Sequence, residues 1–164
     1  MKTVYEILNK KGSDYWYISP DSTVYEALEL MSKKDIGALL IIENGNVMGI
    51  ISERDYARKV ALLGRLSREI PVNEIMSTKV IYVKPQNTPQ ECMALMTEKH
   101  VRHLPVIEDD KLIGLISIGD VVKAVIEDHQ FVIDQLVQYI TGMPKIKTTA
   151  KAHDNKESSQ VVDS

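Results

Sequence analysis

The feature that most constrains how this 164-residue chain can fold is that most of it is written twice. Gly49-Ile50-Ile51-Ser52-Glu53-Arg54-Asp55 returns 65 positions later as Gly114-Leu115-Ile116-Ser117-Ile118-Gly119-Asp120. The same offset pairs Pro20 with Pro85, Thr23 with Thr88, Glu26 with Glu91, Met31 with Met96, Leu39 with Leu104 and Glu43 with Glu108. From Ile18 to Val60 about a third of the aligned positions are identical, which marks a tandem duplication. A single copy of this size buries too little surface to be comfortable alone, so the two copies are expected to pack together about a pseudo-twofold axis.

Each copy reads as β-α-β-β-α, an α/β (α+β) fold. In the first, Tyr15-Trp16-Tyr17-Ile18 is a short β-prone run stopped by Ser19-Pro20-Asp21. Thr23 and Glu26 have capping-box spacing, and Val24, Ala27, Leu28 and Met31 share a helical face. The apolar run Ile36–Ile42, the turn residues Glu43-Asn44-Gly45-Asn46 and the return run Val47–Ile51 predict a β-hairpin. In the second copy Val80–Val83 is the expected first strand. Before each copy lies a short echo, Thr3–Leu8 and Pro71–Met76. The chain divides on this reading into units at 1–63 and 64–126, a helical extension at 127–142 and a flexible tail at 143–164. The extension carries Val122, Ile126, His129, Ile133, Leu136 and Ile140 at spacings of four and three, with Gly142 and Pro144 to stop it. That helix either lies across its own domain or forms a self-association surface.

A net charge of −3 and an aromatic content of 5% argue against a nucleic-acid partner. No apolar run approaches the roughly 20 residues that span a bilayer, the N-terminus lacks a signal-peptide core, and the single cysteine suits a reducing compartment. A cytoplasmic protein with no membrane contact is therefore expected. Glycine-rich phosphate loops, metal-ligand spacings and a partnered nucleophile are missing from the sequence, so no enzyme, no catalytic residue, no catalytic cofactor and no metal is expected. Cys92, among Met93 and Met96, reads as a buried structural thiol.

The paired Ser-x-x-Asp motifs remain. Ser52 with Asp55, and Ser117 with Asp120, open helices after apolar strands. They can be helix caps and nothing more. They can also be anion seats, since a helix start presents free N–H groups and Asp is short enough to take both hydroxyls of a ribose. His100-Val101-Arg102-His103-Leu104-Pro105 places a basic pair, Arg102 and His103, where the first copy has Gly37-Ala38. A guanidinium is suited to phosphate. Arg54 and Arg58 share a face of the helix after Ser52, either solvated or turned towards a cleft between the copies.

Two copies of G-h-h-[ST]-x-x-[DN] closing β-α-β-β-α units resemble the CBS-domain pair, or Bateman module, from about Thr3 to Val125. Gly-Ile-Ile-Ser-Glu-Arg-Asp-Tyr-Ala-Arg-Lys, Arg-His-Leu-Pro-Val and the helix to Ile140 resemble the small stand-alone bacterial members. The resemblance implies a non-catalytic regulatory module that binds an adenosine-containing ligand (AMP, ADP, ATP, NAD or S-adenosylmethionine) between the units, forms a homodimer, and reports energy or redox state to a regulated protein. It implies that Ser117 and Asp120 hold phosphate and ribose, with Ser52 and Asp55 equivalent, and that Arg102 and His103 meet phosphate, beside Leu104 and Pro105. Backbone near Ser77, Thr78, Lys79 and Val80, and near Tyr17 and Ile18, would flank adenine. Gly37 and Ala38 make the two positions unequal. The alternative is a structural or oligomerisation module whose Ser-x-x-Asp pairs are only caps.

Overall fold

The five α-helix starts among the described residues are built alike. Thr3, Thr23, Ser52, Thr88 and Ser117 each accept a hydrogen bond from the backbone N–H three residues on, while the acid at that position bonds back to the cap's own N–H. These reciprocal caps fix where each helix begins. The computed structural model describes residues 1–142; Pro144 and the predicted tail at 143–164 lie outside the described residues.

Helix α1 (Val4–Lys11) is followed by β1 (Tyr17–Ile18), α2 (Val24–Lys34) and the hairpin β2 (Ala38–Glu43) and β3 (Asn46–Ser52). Helix α3 (Glu53–Tyr56) widens into a π turn at Ala57–Ala61, where Leu62 N–H reaches Ala57 O. After a 3-10 turn (Val72–Glu74) come α4 (Pro89–Lys99), the hairpin β4 (His103–Glu108) and β5 (Lys111–Ser117), and α5 (Ile118–Thr141). The hairpins are superposable in register. Ala38 faces Ser52 as His103 faces Ser117, and both carry an irregularity after the fourth strand residue. Both turns use left-handed backbone, at Asn44-Gly45 and at Asp109-Asp110.

One predicted strand is nearly absent. β1 pairs in parallel with β2 through Tyr17 and Ile18, but Val80–Val83 contributes only the single bridge Val83–Val106. The chain leaves extended pairing there because its preceding residues are recruited elsewhere. Ser77 and Ile50 exchange both backbone hydrogen bonds, at 2.9 and 3.1 Å.

The buried residues form two clusters, and each borrows its lead-in from the other copy. Val4, Ile7 and Leu8 of α1 pack with Met96, Leu104, Ile116 and Val121 of the second copy. Ile70, Val72 and Ile75 pack with Val24, Met31, Leu39 and Ile51 of the first. Backbone hydrogen bonds repeat the exchange: Val4 and Tyr5 N–H donate to Asn87 and Pro85 O, and Val72 and Asn73 N–H donate to Ser22 and Pro20 O. Lys2 and Lys10 also clamp Glu127 at 2.7 and 2.8 Å, and these hydrogen bonds draw its carboxyl down to about 2.

These features belong to the unit Met1–His129. The segment from Gln130 onward continues α5, with Gln130 Nε2 donating to Asp134 Oδ1 at 2.8 Å. Helix α5 ends at Thr141, and Gly142 beyond it has φ +63° and donates to Gln138 O. Within this segment Ile133, Leu136 and Ile140 are exposed.

Candidate functional site

The hairpins and the Ser77 bridge leave a cleft of about 520 Å³, within the size of small-molecule sites. Its first wall is the start of β2, at Gly37 and Ala38, with the end of β3 and α3 beside it, at Ile50, Ser52, Glu53, Arg54, Asp55 and Arg58. Opposite stand Ser77, Lys79, Val80 and Ile81 from the lead-in, then Lys99 to His103 and Pro105. Local hydrogen bonds fix these edges. Glu53 N–H donates to Gly37 O at 3.1 Å, its counterpart Ile118 N–H donates to Arg102 O at 2.9 Å, and Arg54 Nη1 reaches across to His100 O at 3.2 Å.

At the first cap, Ser52 N–H and Ser52 Oγ donate to Asp55 Oδ2 at 2.9 and 3.0 Å, and Asp55 N–H donates back to Oγ at 3.3 Å. The other carboxylate oxygen lies 3.1 Å from Lys59 Nζ. At the second cap, Ser117 N–H donates to Asp120 Oδ2 at 2.8 Å, and Asp120 N–H donates to Ser117 Oγ. Burial pushes the Asp120 carboxyl up. Hydrogen bonds from Lys11 and the Ser117 N–H outweigh it and hold the group below the usual carboxylate range.

The cleft is strongly cationic although the chain is net acidic. Arg54, Arg58, Lys79, Lys99 and Arg102 line it against Glu53 and Asp55. Clustered cations on a half-enclosed surface concentrate anions. His103 is not one of these charges. Burial pushes the imidazole below its ordinary value, nearby Asp120 pulls the other way, and Lys11 and Arg102 add to the depression, so the ring is uncharged at pH 7.

Most predicted site residues thus come together: Gly37, Ala38, Ser52, Arg54, Asp55, Arg58, Lys79, Val80, Arg102, His103 and Pro105 line one cleft. Others lie outside it. Leu104 is fully buried in the second core, Thr78 is exposed, Tyr17 is exposed and packs near Tyr15, and Ile18 packs on the first core. Ser117 and Asp120 do not line it; their cap lies opposite His103 in the β4–β5 register and meets Lys11. Sequence reasoning missed Lys99, His100 and Glu53. The first two lie three and two positions before Arg102, the start of the basic pair it singled out, and Glu53 sits inside the Ser-x-x-Asp motif. Among the described residues no group of three or more His, Cys, Asp or Glu side chains could hold a metal ion. Cys92 is buried, and burial with the adjacent Glu91 pushes its thiol up to about 11.

Two copies of one hairpin-and-helix unit, interlocked around a cationic cleft, correspond to a known family. The CBS-domain profile matches residues 4–62 and 72–127. The chain belongs to the CBS-domain family. A signal-transduction protein with CBS domains from Burkholderia ambifaria is 52% identical with a TM-score of 0.75, covering 77% of this chain and 96% of its own. The mitochondrial CBS domain-containing protein CBSX3 of Arabidopsis thaliana is 38% identical over 149 residues, 85% of this chain and 72% of its own. The Bacillus subtilis protein YhcV is 32% identical over 103 residues, 63% of this chain and 73% of its own. Matches run across bacteria, archaea and plants, so the pair is not confined to a bacterial type. The CBS domain pair of protein MJ0100, solved with 5′-methylthioadenosine and S-adenosyl-L-methionine, shares the fold at 21% identity and a TM-score of 0.64. CBS-domain pairs are non-catalytic regulatory modules with nucleotide-binding character, and they often oligomerise. Among the described residues no helix is long and apolar enough to cross a membrane.

Proposed function

We propose that this chain is a nucleotide-responsive regulator that binds an adenosine-containing ligand of the AMP, ADP, ATP or NAD class in the cleft at Ser52 and Asp55. The carrying observation is the cleft's composition, a short carboxylate cap facing five lysine and arginine side chains. Asp55 suits ribose hydroxyls, and Arg102, Lys79 and Arg54 suit phosphate. Adenosine as the ligand class rests on the family and on the MJ0100 pair. The two CBS units at 1–63 and 64–126 would pass occupancy to a regulated protein through their packing. A ligand shifts such an equilibrium only by its differential affinity for the two states. The exposed apolar residues of α5, Ile133, Leu136 and Ile140 among them, offer a homodimer seam along 127–142.

A second reading is favoured by one observation, that both Ser-x-x-Asp pairs are complete capping boxes. A structural module would need no more. Calorimetric titration with AMP, ATP, NAD and S-adenosylmethionine separates the two. The regulator takes up at least one of them, and Asp55→Ala loses that uptake while staying folded. Silence from all four, with Ser52→Ala costing only the roughly 0.5–2 kcal/mol of a lost cap, would leave the structural module.

A further inference from the structure

The two copies differ in how their lead-ins meet the hairpins. A Cβ on Gly114 would strike the Leu8 methyls, as one on Gly49 would strike Met76. Leu8 and Met76 are therefore equivalent, 68 positions apart, whereas everything from Ile18 onward is 65 apart. The first lead-in carries three more residues. They are used as helix, so α1 runs about a turn past Leu8 to Lys11. The second lead-in stops at a 3-10 turn, and Ser77 joins the hairpin.

The extra turn changes what the second hairpin receives. Ile50 O accepts the Ser77 N–H at 2.9 Å; its counterpart, Leu115 O, accepts the Lys11 ammonium at 2.7 Å. The same ammonium lies 2.7 Å from Asp120 Oδ2. Asp55 also meets a lysine, but Lys59 comes from its own helix and does not line the cleft, whereas Asp55 does. The residue equivalent to Lys59 is the buried Ala124, so in the second copy the carboxylate's lysine comes from α1 and not from its own helix. The two copies also differ at the end of the preceding helix: Lys34 Nζ lies 3.9 Å from the centre of the Trp16 ring, while its counterpart Lys99 lines the open cleft.

We propose that Lys11 is a resident occupant of the second Ser-x-x-Asp position, holding the Asp120 carboxylate that a ribose would need, so that each chain binds one nucleotide, at Ser52–Asp55. The inference rests on the reading of the cleft as a nucleotide site. An ammonium delivered by the chain's own helix acts at high effective concentration, and its charge-assisted bond to a carboxylate outcompetes neutral hydroxyls.

Calorimetric stoichiometry tests this, with AMP and ATP as parallel probes on the full chain. Lys11→Met keeps the apolar stem and removes the charge. One nucleotide per wild-type chain, two per Lys11→Met chain, and one per Lys11→Met/Asp55→Ala chain are expected, with Lys11→Arg remaining at one. Two per wild-type chain, or one per folded Lys11→Met chain, would overturn the lock and leave the nucleotide reading standing. No uptake of either probe, nor of NAD or S-adenosylmethionine, by any of these proteins would overturn both.

Discussion

At the end of β3 the Ser52–Asp55 cap faces a cleft rimmed by Arg54, Lys79 and Arg102; at the end of β5 the Ser117–Asp120 cap faces Lys11. The hydrogen bonds within the two caps are nearly the same, within 0.1 Å for each backbone contact. What differs is their surroundings. A capping box earns its place by starting a helix whether or not a ligand arrives, so duplication can preserve the motif while its two copies diverge in use. Equal motifs are therefore weak grounds for equal sites, and the residues that separate them lie in the lead-ins and at the strand starts. Where the second half has Arg102 and His103, the first has Gly37 and Ala38.

The sharpest way to break this comparison is to remove the basic side of the open cleft. Arg102→Ala is expected to weaken binding of a phosphate-bearing nucleotide about 10–100-fold, the worth of about 1.5–3 kcal/mol for a hydrogen bond to a charged group, and to spare adenosine. Equal losses for both ligands would remove Arg102 from the phosphate. Next in size is a packing contrast. A Cβ at Gly49 would lie 2.8 Å from Ser77 O, backbone pinned by its bridge to Ile50, whereas one at Gly114 would meet only the ends of Leu8. In urea unfolding, Gly49→Ala should cost about 3 kcal/mol and Gly114→Ala about 1. The reverse order would mean that the Ser77 bridge yields more readily than Leu8 repacks.

The smallest effect concerns pH. Burial holds the folded His103 below its ordinary value of 6.5. The folded state thus binds fewer protons than the unfolded chain between those two values, and stability falls as pH is lowered through that window. Ala38, its counterpart, cannot titrate. His103→Asn should flatten the decline in denaturation midpoints below pH 6.5, and an unchanged slope would assign it to other groups.

Much of this was legible in the sequence because its signals are local and repeated. The hairpins followed from apolar runs around Asn44-Gly45, the helix starts from Thr and Ser three residues before an acid, and the length of α5 from its four-three spacing. The cleft was legible in outline, since Ser52, Asp55 and Arg102 were all singled out. What escaped was non-local. Nothing in the Thr3–Leu8 run says which core it enters, and Val80–Val83 has strand chemistry but loses its pairing because Ser77 is held at Ile50. Lys11 sits before the stretch where the 65-residue register holds. Its signal was present as the mismatch between a 68-residue spacing for the lead-ins and 65 for the rest, which acquires meaning only once Leu8 is seen against Gly114.

The exchange of lead-ins has a consequence for synthesis on the ribosome. α1 emerges well before the second copy, yet Val4, Ile7 and Leu8 gain their partners only after Val121 and Ala124 have been made, a delay of roughly 10 s at about 5–20 residues per second. Meanwhile the first copy cannot close until Ile70, Val72 and Ile75 appear. A growing chain therefore carries the apolar face of α1 without its partners until β4, β5 and the start of α5 have been translated.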